Sequence, residues 1–294
     1  MSRVLVTGAT GFVGAHLVTD LQGRGYDVVA ATREMTGDLD GNTDWQTLLT
    51  GVDYVIHTAG RAHVLREQAA DPLEAFRQVN VDASLNLARQ AAQAGVRRFI
   101  FLSSVGVLGG ETHGQALNAA TLPVPHTPYA QSKHAAEQGL ADIARDSKLE
   151  LVIIRPPLIL GRNPKGNLGT LVRVMQSGLP LPLDAVTRNR RDLVSRPVLS
   201  DLIIHCIAHP RACDAPWLVS DGITRSTRDI VLTLARHNDV QPRLLPIPVG
   251  PMRLALNMAG RATMAQQLFG DLELDMSHTR EVLGWSPPQP TWSQ

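Results

Sequence analysis

The stretch RVLVTGATGFVGAHLVTDLQGRG, residues 3–25, decides the fold of this 294-residue chain. It begins as a continuous aliphatic run, passes Gly8, Gly11 and Gly14, and goes on as a helical pattern closed by Gly23 and Gly25. Strand, glycine turn and helix in that order open a βαβ unit. Gly8 makes the tight turn, Gly11 lets a phosphate approach the backbone, and Gly14 lets helix and strand pack closely. The helix N-terminus adds unpaired N–H groups and the positive end of a dipole, so the loop predicts a bound dinucleotide. Thr10, Phe12 and Val13 complete the loop and are candidate cofactor contacts beside the glycines.

Outward from this stretch the rhythm repeats. Strand-like runs fall at 27–32, 53–60, 97–104 and 149–157, with helical patterns at 44–51, 71–94 and 129–146 between them. The strands are unbroken apolar runs, as expected when both faces of a parallel sheet are covered by crossover helices. The fold class read from this is α/β, a Rossmann-type doubly wound parallel sheet. After Pro157 proline and glycine become frequent, as in SGLPLPLD and LLPIPVGPMR. The expected division is a dinucleotide-binding domain over 1–157. Residues 158–294 are expected to form mainly a smaller C-terminal substrate lobe, with segments crossing back.

Composition narrows the function classes. The chain is 44% hydrophobic with a formal net charge of +1 and no block of like charge, so no nucleic-acid partner is expected. Two cysteines make no disulfide framework, and neither a signal-peptide pattern nor a long apolar span is visible. The expected setting is cytoplasmic, with no membrane partner.

At the end of the second strand, AATRE places Thr32 where an acidic residue would bind the adenosine ribose, with Arg33 beside it. An arginine there suits a 2′-phosphate, so NADP(H) is favoured over NAD(H), although Glu34 can still turn inward. Further on, TPYAQSK sets Tyr129 four residues before Lys133, on one helix face. A lysine cation beside the phenol stabilises the phenolate and is expected to lower its pKa. The strand before it ends at Ser103 and Ser104, on the carboxyl edge where open α/β sheets bind ligands.

TGATGFVG, HTAG, FLSSVGVLG, YAQSK and RPPLILG, in this order, resemble the extended short-chain dehydrogenase/reductase family, and the likeness runs on to LGWSPP at 283–288. The resemblance implies that Tyr129 is the proton donor and acceptor, Lys133 its partner on the nicotinamide ribose, and Ser104 the hydroxyl that holds the reacting oxygen. It implies cofactor contacts at Ala59, Gly60, Asn80, Ser103, Arg155 and Pro156, and a homodimer formed through helices 71–94 and 129–146. Leu108 departs from the family's frequent tyrosine.

RPPLILGRNPKGN and GLPLPLDAVTRNRRDLVS are similar to a bacterial subgroup acting on UDP-N-acetylhexosamines, the 4-ketoreductases and UDP-glucose 4-epimerase-like proteins. That likeness implies a nucleotide-sugar partner, with His63, Asn167 and Arg191 among the substrate contacts. Arg196-Pro197-Val198 departs from the subgroup pattern. Reduction of a 4-keto UDP-6-deoxy-N-acetylhexosamine is the favoured reaction, and a 4-epimerase with tightly held NAD is the alternative. A reductase of sugar-free carbonyls and a non-enzymatic NADP sensor rank lower. A metal site at His205, Cys206, His209 and Cys213 is set aside because no carboxylate joins them and Pro210 ends the helix.

Overall fold

The computed structural model describes residues 1–62 and 71–288. The aliphatic runs form strands β1 (Arg3–Thr7), β2 (Asp27–Ala31), β3 (Tyr54–His57), β4 (Arg98–Leu102) and β5 (Glu150–Arg155). Two short strands, β6 (Ile159–Leu160) and β7 (Val194–Ser195), pair with each other, and β8 (Trp217–Leu218) joins the main sheet. The six-stranded sheet has the order β2-β1-β3-β4-β5-β8 and every pair in it is parallel. The strand order reverses at β1, so the crevice at the carboxyl ends of β1 and β3 is the topological switch point.

Alternation along each strand sorts the core into two layers. Val4, Val6, Tyr54, Ile56, Ile100, Val152 and Ile154 face helices Gly14–Gly23 and Arg196–Ala208. Leu5, Val55, Phe99 and Phe101 face the other way, onto Leu87, Ala88, Ala91, Ala136 and Leu140 of helices Ala83–Gln93 and Pro128–Arg145. A third cluster, including Leu160, Leu168, Val172, Val231, Leu234 and Phe269, lies wholly in the C-terminal half. That half also supplies β8, which extends the sheet beside Ile154 and Arg155.

The helix read over 71–94 is interrupted. Pro72–Arg77 is α-helical, Gln78–Asp82 forms a π turn, and Ala83–Gln93 resumes the α-helix. The π turn is centred on Asn80, which is fully buried. Among the described residues no helix is long and apolar enough to cross a membrane.

Candidate active site

The glycine loop is shaped as its sequence demands. Gly8 has φ +68°, and a Cβ there would stand 2.8 Å from the Ala59 nitrogen. A Cβ on Gly11 would lie 2.9 Å from the Gly8 carbonyl oxygen, and one on Gly14 only 2.2 Å from it. These are backbone atoms that no side-chain rotation can move aside. The cradle therefore fits the close approach of a dinucleotide pyrophosphate, with the backbone of Thr10, Phe12 and Val13 at its rim. Arg196 lies over the Phe12 ring at 4.7 Å, and Gly161 leaves room for it, since a Cβ there would be 2.4 Å from the Arg196 Nε. Sequence reasoning had marked Arg196 only as a departure; its stacking on the loop depends on a fold contact between distant segments.

The helix bearing the tyrosine and lysine starts where local chemistry dictates. Thr127 Oγ1 accepts from the Ala130 N–H at 3.2 Å, and Pro128 occupies the first turn, where no N–H is needed. Tyr129, Lys133 and Glu137 then follow at successive turns. Lys133 is buried, donates to the Leu102 carbonyl at 2.9 Å, and lies over the Phe101 ring at 4.5 Å. Burial pulls the Lys133 pKa down to about 8, against the opposing charge of Glu137. Ser104 caps a short turn by accepting from the Gly106 N–H at 3.1 Å, and its side chain favours the ionised form of Tyr129. Phe76 meets the Tyr129 ring edge-on, and Arg61 covers Phe76 at 5.4 Å.

One expectation is corrected here. The Tyr129 pKa is not lowered; burial pushes it up to about 12, partly offset by Ser104.

Asn80 ties the site together. Its Oδ1 accepts from the Arg61 N–H at 2.7 Å, and its Nδ2 donates to the Arg61 carbonyl and to Ser132 Oγ. Gly60 passes close by: a Cβ there would be 3.0 Å from Asn80 Oδ1 and 3.5 Å from Lys133 Nζ. Beneath lies His57, buried between Thr7 and Ser84. Ser84 spends its proton on the Asn80 carbonyl, so it accepts from His57 Nε2–H. Nδ1 is then the acceptor from Thr7, whose oxygen also receives the Ala59 N–H. Burial, helped by the Lys133 charge, lowers the His57 pKa to about 3 and keeps the ring neutral.

Several expected contacts face elsewhere. The Ser103 hydroxyl bonds to Glu137, and Arg155 forms a two-pronged pair with the same carboxylate at 2.9 and 2.6 Å. The carbonyl of Pro156 accepts from the Val105 N–H. Thr32 precedes a four-residue helix, and Arg33 is exposed and paired with Asp38 at 3.1 Å. Arg191 is buried and donates to the Gly270 carbonyl at 3.0 Å, whereas Asn167 is exposed and bonded to Gln267. Leu108 is buried in the core, and His63 lies outside the described residues. The rings of His205 and His209 stack at 5.1 Å, with His205 Nε2 against the Leu283 carbonyl. Glu137 was missed in the sequence, although its spacing from Tyr129 and Lys133 was visible.

Comparison with known proteins gives the family and the fold. The chain is 40% identical to the UDP-glucose 4-epimerase of Vibrio cholerae over 298 residues, covering 97% of this chain and 91% of that protein. Among solved structures, UDP-glucose 4-epimerase from Thermotoga maritima with UDP-glucose has a TM-score of 0.71 at 20% identity, covering 97% of this chain and 93% of that one. The NADP complex of dTDP-4-dehydrorhamnose reductase from Bacillus anthracis reaches 0.76 at 18% identity, covering 99% and 96%. Residues 4–218 match the NAD dependent epimerase/dehydratase family, and the chain belongs to that family of NAD(P)-dependent, short-chain dehydrogenase/reductase-type enzymes.

Proposed function

We propose that the protein exchanges hydride and proton at C4 of a UDP-sugar, acting as a 4-epimerase. The observation that carries this reading is the meeting of Ser104, at the carboxyl edge of β4, with Tyr129, one helical turn from Lys133. The 40% identity to a UDP-glucose 4-epimerase supports the substrate class. Gly8, Gly11 and Gly14 would hold the pyrophosphate, Ala59, Gly60 and Asn80 the middle of the cofactor, and Lys133 the nicotinamide ribose. A nicotinamide held there would supply reversible hydride transfer at C4. Tyr129 removes the 4-hydroxyl proton, and Ser104 hydrogen-bonds the oxygen as it becomes a carbonyl. Lys133 supplies positive charge while the phenolate exists, and Tyr129 returns the proton when the other face of C4 is reduced.

A second reading is reduction of a 4-keto UDP-6-deoxy-N-acetylhexosamine with NADPH, and Arg33 at the end of β2 supports it. Denaturing freshly purified protein and identifying the nicotinamide it releases separates the two. The epimerase releases near-stoichiometric NAD and interconverts UDP-glucose and UDP-galactose. A reductase is empty, binds NADPH better than NADH, and consumes it with the keto sugar. In either case Tyr129→Phe is expected to lower kcat by about 10²–10⁴ with little change in cofactor affinity. Full activity in that variant would overturn both readings.

A further inference from the structure

Glu137 stands one turn beyond Lys133 on a face that continues from Tyr129, and it is only 4% exposed. A carboxylate so deep needs partners for both oxygens. Oε1 receives the Ser103 hydroxyl and the Arg155 Nε, and Oε2 receives the Arg155 Nη2 at 2.6 Å. Ser103 follows β4 and Arg155 ends β5, so this one side chain joins the helix to the carboxyl ends of two central strands. His134 Nδ1 lies 3.9 Å away.

We propose that Glu137 is a positioning residue for Lys133: clamped by Arg155 and Ser103, its carboxylate fixes the helix face and sustains the positive charge of the ammonium. Among the described residues, the titratable and charged groups around Lys133 are Tyr129, His134 and Glu137 of its own helix, His57 of β3, Arg61 beyond Phe76, and Arg155 acting through Glu137. His57 is neutral, and among the described residues Glu137 is the anion that offsets burial of the lysine. Arg155 in turn attenuates Glu137, which makes the pair a two-sided control. The functional meaning rests on the Tyr129–Lys133 reading above, but the charge state of the lysine can be measured without any reaction.

The chain contains three lysines, Lys133, Lys148 and Lys165, and the last two are exposed. Protein grown with ¹³Cε-lysine therefore gives three assignable signals, two of them internal references. In the wild type Lys133 is expected to titrate at about 8. Glu137→Gln, which keeps the shape but removes the charge and leaves one amide oxygen to accept, is expected to lower that midpoint by about one unit. Arg155→Gln, which frees the carboxylate, is expected to raise it. A clamp that acted only on packing would not move the two variants in opposite directions. An unchanged Lys133 midpoint in folded Glu137→Gln overturns the proposal. If that variant does not fold, an unchanged or lowered midpoint in Arg155→Gln does so. The alkaline limb of kcat/KM is expected to follow the same shifts. If the lysine signal moves and that limb stays fixed, the catalytic reading fails and the Glu137 assignment stands.

Discussion

The two ends of the cofactor crevice are built on different physics. At the Lys133 end, His57, Asn80, Lys133, Glu137 and Arg155 are all buried and linked through hydrogen bonds or charge. At the Arg33 end the guanidinium and its partner Asp38 are 84% and 86% exposed. A buried polar network is costly to leave half-satisfied, so it holds one arrangement before any ligand arrives. A surface pair is screened by water and salt and rearranges at almost no cost. The lesson is that burial fixes one end in advance, while the other is left free to rearrange.

The largest expected effect comes from the joint between the two ends. In Gly14→Ala the new methyl would stand 2.2 Å from the Gly8 carbonyl oxygen, so loop or helix must move. We expect a loss of about 1–3 kcal/mol in stability and more than about tenfold in dinucleotide affinity. Urea unfolding and cofactor titration check both. Unchanged binding would mean that the loop is as adjustable as the Arg33 rim, breaking the contrast.

A smaller effect tests whether the buried end is held as one arrangement. The native His57 pKa is about 3 against 6.5 for the ordinary side chain. Between those values the unfolded chain binds a proton that the native state excludes. Its contribution to stability is therefore complete above pH 6.5 and is lost as pH falls towards 3, at about 1.4 kcal/mol per pH unit. His57→Gln removes this proton, so its unfolding free energy should fall less steeply than wild type between pH 6.5 and 4.5. Equal slopes would place a protonated or solvated His57 in the native state.

The same contrast explains what the sequence could tell. The glycine spacing was legible because each of Gly8, Gly11 and Gly14 answers a local steric demand, and the strands because their apolar runs have no other use. Tyr129 and Lys133 were legible as a helical pair. The π turn at Asn80 was not, because the bonds of Asn80 run to Arg61 and Ser132, 19 and 52 positions away. Glu137 carries no signal in the sequence beyond its helical spacing, because its partner Arg155 arrives from β5. For the same reason Arg155 and Ser103, assigned to the cofactor by resemblance, turned out to hold a carboxylate. The pKa of Tyr129 failed as a sequence inference because spacing gives proximity along a helix, and burial outweighs proximity here.

The smallest expected effect lies at the exposed end and is the most direct test of cofactor choice. Arg33, which the NADP(H) reading sets against a 2′-phosphate, is engaged by Asp38 at 3.1 Å. A pair this exposed contributes about 0–1 kcal/mol, so a bound phosphate can displace the carboxylate. Arg33→Ala should therefore weaken NADPH by about tenfold or less and leave NADH nearly unchanged. Asp38→Asn should do the reverse, strengthening NADPH a few-fold by releasing the guanidinium. Both effects should shrink as salt rises, because neither charge is shielded from solvent. Titrating the two dinucleotides against each variant at low and high salt measures all of this. If the NADPH to NADH ratio is the same in wild type and both variants, Arg33 does not read the phosphate. The absence of an acid at Thr32 would then be the whole of what the second strand contributes to selectivity.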